Sequence, residues 1–244
     1  MKIVATIEAR MTSSRLPGKV LLPANGAPML HHLVKRLRKV GPIQGIILAT
    51  TVNRADEQLI RCANEMNIPS YRGSEDDVMV RVIEAAESVD ADIIVEVTGD
   101  CPIIDPQIVE QTIQIFLNND CDYASNCHIR SYPDGMDTQV FRLETLKKSA
   151  QMSHDVLEHE HVTLHIRKHP ELFRHINLFA PPDLFWPELG LTLDERKDYF
   201  LLKSIIEHFG DENPFFSCKD VIQFLKSRPD LIDINRDVVR KGDT

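Results

Sequence analysis

Nothing in this 244-residue chain approaches the roughly 20 consecutive apolar residues that a membrane-spanning helix needs. Met1-Lys2 leads directly into an apolar strand, so no signal peptide and no membrane partner are expected, and the expected compartment is the cytoplasm. Cysteine is sparse. Cys62, Cys101, Cys121, Cys127 and Cys218 form an odd set without a CxxC pair, which supports neither a disulfide framework nor a zinc ribbon. They are expected as small buried side chains, not as nucleophiles. Positive charge is also short: 28 Lys and Arg face 37 Asp and Glu, a formal net charge of −9. A general nucleic-acid binder would want a basic face, so no nucleic-acid partner is expected. No internal repeat or low-complexity segment is present.

What is there is ordinary for a globular chain, with 43% apolar and 27% charged residues. That length supports one large α/β domain, or one with a small appendage, and needs no metal or disulfide staple. Apolar runs at 3–7, 46–50 and 93–97 read as strands, and 69–72 as a further short one. Between and after them, 28–40, 55–66, 76–88 and 105–117 carry helical spacing, with Ser74 as a candidate cap and Pro106 at a first helical position. This alternation predicts a mainly parallel sheet with helices on both faces. Beyond residue 120 the rhythm changes. Strands are expected at 123–125 and 136–141, helices at 143–152, 156–168, 195–209 and 218–227, extended segments at 177–180 and 191–193, and a polar tail.

Ligands of parallel sheets sit beyond the carboxyl ends of the strands, which singles out the loops at 8–26 and 98–105. The first carries Arg10, Arg15 and Lys19 among Thr12, Ser13, Ser14 and the Leu16-Pro17-Gly18 turn. Cations, hydroxyls and a glycine permitting close backbone approach suit an anion such as a nucleoside triphosphate; a solvated basic loop would carry the same residues. It is not a Walker A loop, because Val20 stands where Ser or Thr would bind magnesium and no upstream glycine has the required spacing. The second loop, Thr98-Gly99-Asp100-Cys101-Pro102, puts a carboxylate directly after a buried strand, where a magnesium ion bridging phosphates needs an oxygen ligand. Asp194, after a short extended segment and before a helix, is either a second such ligand or a helix cap.

Two other patterns compete for attention. Asp120-Cys121-Asp122 has the DxD form of a sugar-nucleotide metal site, although a turn into a strand explains it well. The stretch holding His154, His159, His161, His165 and His169 places His161 and His165 at i, i+4 on one predicted helical face, without HExxH or an evident third ligand. Contact with an acidic substrate is the better expectation there.

Taken in order, Ala9-Arg10-Met11 through Arg15-Leu16-Pro17-Gly18-Lys19-Val20-Leu21, Arg72-Gly73-Ser74-Glu75-Asp76-Asp77-Val78, Thr98-Gly99-Asp100-Cys101-Pro102, Tyr132-Pro133-Asp134-Gly135-Met136-Asp137, Glu160-His161-Val162-Thr163 and Leu193-Asp194-Glu195 resemble the cytidylyltransferase family. That family includes the CMP-Kdo and CMP-sialic acid synthetases, and the spore-coat polysaccharide type is the nearest in pattern. The resemblance implies a Rossmann-like sheet of the nucleotide-diphospho-sugar transferase type, binding CTP. It implies transfer of CMP to the hydroxyl of an acidic sugar, or a related anionic acceptor, in surface-polysaccharide biosynthesis, with magnesium present and pyrophosphate released. Ala9, Arg10, Ser13, Arg15, Gly18, Lys19 and Thr98 would then hold the nucleotide, with Arg72 and Asp77 near the nucleoside. Arg15, Lys19 and Asp100 would carry the chemistry, and Asp100 and Asp194 would bind Mg2+. It also divides the chain into a nucleotide-binding half (1–120), a small α+β acceptor or dimerisation segment (121–190) and a C-terminal part (191–244), and suggests a homodimer.

The acceptor half departs from the family's Kdo-type members. Where those carry Gln-Gly-Asp-Glu-Pro this chain has Thr98-Gly99-Asp100-Cys101-Pro102, and 131–137 lacks the Kdo pattern. Arg130, Asp137, His161 and Arg167 are the candidate acceptor contacts. Two rival functions remain open at this stage: a glycosyltransferase using Asp120 and Asp122, and a catalytically silent nucleotide-binding module.

Overall fold

The structure, a computed structural model, describes residues 1–240; the last four residues of the expected polar tail lie outside the described residues. The chain runs β1 (Ile3–Glu8), a small hairpin of β2 (Pro23–Ala24) and β3 (Ala27–Pro28), α1 (Met29–Leu37), β4 (Gly45–Thr51), α2 (Glu57–Glu65), β5 (Ser70–Gly73), α3 (Val78–Glu87) and β6 (Ile93–Thr98). It continues through α4 (Pro106–Asn118), β7 (Tyr123–Ser125), β8 (Gln139–Arg142), α5 (Leu143–Met152), α6 (Val156–Glu160), α7 (Leu164–Lys168) and β9 (His175–Asn177). It closes with α8 (Arg196–Phe209), α9 (Cys218–Ser227) and α10 (Pro229–Ile232). No helix among the described residues is long and apolar enough to cross a membrane.

Seven strands form one sheet in the order β5-β4-β1-β6-β8-β7-β9. β1, β4, β5 and β6 pair in parallel. β8 is antiparallel to both β6 and β7, and β7 is parallel to β9, so β8 alone runs against the rest. The mainly parallel α/β expectation holds, and the strands after residue 120 extend the same sheet instead of building one of their own.

Strand side chains alternate between faces. Ile3, Ala5 and Ile7 of β1 and Ile93, Val95 and Val97 of β6 join a core with Leu30, Leu33 and Leu37 of α1 and Val109, Ile113 and Phe116 of α4. Val4 and Ile94 face the other way, against Met79, Val82 and Ile83 of α3 and Leu146 of α5. Further along that second face the inward positions turn polar, ending in Glu8 and Glu96. A third core gathers α8 and α9 around Met136, Leu189, Leu191 and Leu193.

Local chemistry sets the helix starts. Asp105 caps α4 by accepting from the Gln107 amide at 2.9 Å, and Pro106 follows as expected. The start of α3 differs from the expected one: Asp77 accepts from the Val80 amide at 2.9 Å, and Ser74 supports the turn before it through the Asp77 amide. The expected helix 156–168 is broken. Val162 adopts φ +28°, and α6 and α7 separate around it. His161 and His165 therefore do not share a face: His161 borders the cleft, while His165 is buried and meets Glu158 at 2.8 Å.

Candidate active site

The carboxyl ends of β1 and β6 form the lip of a cleft. Gly99 carries the β6 turn against β1 so closely that an added Cβ would lie 2.8 Å from the Glu8 carbonyl oxygen. After β1, the Gly18 amide donates to the Met11 carbonyl at 3.0 Å, and Gly18 itself sits at φ +70°, where glycine is favoured. This folds the cation loop back on itself and starts a short 3-10 turn at Lys19–Leu21. Ala9, Arg10, Ser13, Arg15, Lys19, Thr98, Asp100 and Asp194 all line the resulting cavity of about 240 Å³.

The centre of the cleft is a charge cluster. Lys19 Nζ lies 2.7 Å from Asp100 Oδ2 and 3.1 Å from Asp194 Oδ1. Arg15 Nη2 reaches the same Asp194 oxygen at 2.7 Å. The Leu193 amide donates to the Asp100 carbonyl at 2.8 Å, which brings the 191–194 segment alongside the β6 turn. Burial opposes charge on both Lys19 and Asp100. Their mutual attraction, with Asp194 adding to it for Lys19, outweighs that cost, raising the pKa of Lys19 and lowering that of Asp100.

Asp194 is not a helix cap. Glu195 occupies that position, in a capping box completed by Asp198. Asp198 is fully buried and accepts from the Asp194 amide at 3.1 Å, the Glu195 amide at 2.8 Å, Asn235 Nδ2 at 2.8 Å and Arg240 Nη2 at 2.7 Å. The backbone of 194–195 is thereby fixed, and the Asp194 side chain is left to face Arg15 and Lys19.

A second cavity, of about 160 Å³, adjoins the first; Glu8, Thr98, Glu160 and His161 border both. Its remaining wall includes Glu96, Arg130, Asp137, Gln139 and Arg167. Arg130 Nη1 pairs with Asp134 at 3.0 Å and with Asp137 at 2.8 Å. Burial, against the pull of Arg130, pushes the Asp137 carboxyl up to about 6.

A family profile described as cytidylyltransferase matches residues 4–217. This chain belongs to the cytidylyltransferase family. It is 34% identical to the spore coat polysaccharide biosynthesis protein SpsF of Bacillus subtilis over 235 residues, 93% of this chain and 95% of that protein. A cytidylyltransferase structure from Leptospira borgpetersenii superposes with a TM-score of 0.91 at 31% identity, covering 99% of this chain and 100% of that one. A 3-deoxy-manno-octulosonate cytidylyltransferase of Geobacter metallireducens shares 37% identity over 113 residues, 46% of this chain and 44% of that protein.

For this cytidylyltransferase, sequence reasoning assembled most of the first cavity and left gaps. Arg72 and Asp77, expected near the nucleoside, do not line either cavity. Arg72 is committed to the carbonyls of Thr51, Val52 and Asn53 and to Glu57, and Asp77 to the α3 cap and His159, 2.9 Å away. Asp120 and Asp122 precede β7, at the amino edge of the sheet opposite Asp100, and pair with Arg174. The candidate acceptor contacts Arg130, Asp137, His161 and Arg167 do come together, around the second cavity. Arg81 was missed: it is buried on α3, lines the first cavity and carries a buried Nε without a hydrogen-bond partner. It lies within the expected helix 76–88, where no local motif sets it apart. Arg240, in the expected polar tail, was also missed; it lies 3.7 Å from Asp194. No local sequence signal marks it.

Proposed function

We propose that this enzyme transfers CMP from CTP to the hydroxyl of a sugar acid, releasing pyrophosphate, in the synthesis of a surface polysaccharide. The observation that carries the reading is the cluster Arg15, Lys19, Asp100 and Asp194 at the carboxyl edge of β1 and β6. The polysaccharide context is supported by the full-length likeness to SpsF, and the sugar-acid class by the partial likeness to the octulosonate enzyme.

Each cation of the loop after β1 is paired with a carboxylate: Arg10 with Glu75 at 3.8 Å, Arg15 with Asp194, and Lys19 with Asp100 and Asp194. A metal triphosphate offers both sets better partners. Arg10, Arg15 and Lys19 would turn to phosphate oxygens, with Ser13 and Ser14 adding hydroxyl donors. Asp100 and Asp194 would hold a magnesium ion. Their fit rests on hard oxygen donors that already converge on one cation, the Lys19 ammonium. Bound there, magnesium would neutralise charge on the phosphoryl oxygens. Lys19 keeps its proton in this setting and would oppose the charge developing as pyrophosphate leaves. The adjoining cavity would hold the acceptor, so that its hydroxyl oxygen meets the α-phosphorus where the two cavities share Glu8, Thr98 and His161.

Pyrophosphate release from each NTP with magnesium and a panel of sugar acids tests the reading. CTP should be used in preference to the others, and folded protein that releases none from any combination refutes it. A silent binding module would instead bind CTP by calorimetry without consuming it. The glycosyltransferase alternative loses its metal site, since Asp120 and Asp122 sit on the wrong edge.

A further inference from the structure

The histidine-rich stretch after α5 shows no third metal ligand in its sequence pattern, and the fold supplies one. Glu158 on α6, His165 on α7 and His169, which caps α7, each present a donor atom within 4.8 Å of the other two. His165 and His169 stand at i, i+4, with ring centroids 4.4 Å apart and the rings tilted by 45°. The break at Val162 lies between the first donor and the other two.

The surroundings of the three side chains leave room for a cation. Glu158 Oε2 accepts from Ser153 Oγ at 2.6 Å and meets His165 Nδ1 at 2.8 Å. The other Glu158 oxygen has Lys168 Nζ 3.5 Å away, on a side chain that is 46% exposed and can swing into solvent. His165 Nε2 is buried without a hydrogen-bond partner, whereas a ring placed only for packing and an ion pair would ordinarily satisfy both nitrogens. His169 Nδ1 meets Glu171 Oε1 at 2.8 Å, the arrangement in which a carboxylate orients a histidine and leaves its Nε2 to a metal. Phe173 packs edge-on against His165.

Two imidazoles and a carboxylate are donors for zinc, whereas magnesium takes oxygen donors. Tetrahedral zinc bonds of about 2.0–2.2 Å hold neighbouring donors roughly 3.3 Å apart. A spread of at most 4.8 Å is within reach of side-chain adjustment alone.

We propose that Glu158, His165 and His169 form a zinc site, with water in the fourth position, that clamps α6 to α7. Glu160 and His161 lie between its ligands in the chain and border both cavities. The ion thus steadies one wall of the cleft without touching substrate. It shares no residue with the magnesium site proposed at Asp100 and Asp194, and it stands or falls independently of the nucleotidyl-transfer reading.

Zinc titrated by calorimetry into the chelator-treated full chain should bind tightly at one site. H169N and E158Q should each weaken that binding by about tenfold or more, since even an outer partner of a zinc ligand is worth that much. H169N is the safer variant, because His169 is partly exposed and its loss opens no buried gap. D100N should keep the site, which separates it from zinc held by the cleft carboxylates. Cobalt in place of zinc should give the visible absorption bands of a tetrahedral site, lost in H169N. Hydrogen exchange of amides 158–169 should slow by about tenfold with free zinc at ten times its Kd, because opening the segment would release the ion. No binding, or binding that H169N and E158Q leave unchanged, overturns the site. Binding that both variants weaken, but that leaves exchange over 158–169 as fast as before, overturns the clamp.

Discussion

Lys19 Nζ sits between two carboxylates that are 94 positions apart in the chain, at 2.7 Å from Asp100 and 3.1 Å from Asp194. One ammonium thus ties the β6 turn to the segment before α8, and three separate stretches of sequence meet at a single charge. Asp100→Asn should lower kcat by about 100-fold or more, the scale seen when a charge-stabilising group is removed from an active site. Its melting temperature should change little, because the amide can still accept from Lys19. Pyrophosphate release and thermal melts on the same preparation check both halves.

Asp198 holds the backbone of 194–195 without touching the cleft, so it is a positioning residue. Asp198→Asn should destabilise the protein by about 1–3 kcal/mol, since Arg240 would lose its buried charged partner. The KM for CTP should rise in that variant as Asp194 loosens. Arg240→Ala should show the same pattern more weakly, because Asn235 and two amides still serve Asp198. Urea unfolding and CTP titration in parallel would separate the two effects; a stability loss with unchanged KM would count against a positioning role.

Glu8, Glu96 and Asp137 predict an unusual dependence of stability on pH. Burial raises all three carboxyl pKa values, that of Asp137 to about 6. The folded state therefore binds protons more tightly than the unfolded chain, whose carboxyls titrate at about 4. Stability from these groups is complete below that value and is lost as pH rises through the folded values. Melting temperature should be higher near pH 5 than near pH 7.5. Glu96→Gln should raise it at pH 7.5 and shrink the difference, and an unaltered pH profile in the variant would contradict the argument.

Gly99→Ala tests the joint between β1 and β6. A Cβ there would approach the Glu8 carbonyl oxygen to 2.8 Å and Ala9 Cβ to 3.0 Å, and neither can move without shifting the sheet. We expect a loss of about 1–3 kcal/mol, as for other overpacked contacts, together with reduced activity from a displaced Asp100. By contrast, Asp120→Asn with Asp122→Asn should leave pyrophosphate release intact, since both residues pair with Arg174 at the far edge.

Apolar runs and strand ends made the parallel sheet, the cation loop and Asp100 readable from sequence, because each depends on neighbours within a few residues. The role of Asp194 was only half readable: the same Asp-Glu pair could cap α8, and it took Asp198 at the third helical position to hand that task to Glu195. The break at Val162 has no Pro or Gly to announce it. The carboxyl pair was hidden for another reason, since Glu8 and Glu96 each look unremarkable until strand register brings them together across β1 and β6.

The contacts of Asp198 also bear on when the enzyme becomes active during its own synthesis. The last strand of the sheet ends at Asn177, so the whole sheet can assemble before residues 194–240 have emerged from a ribosome. Such a nascent chain would own the cation loop and Asp100 but not the opposing carboxylate, nor Asn235 and Arg240, which brace its backbone. Activity would then switch on late and abruptly, with the arrival of the C-terminal segment.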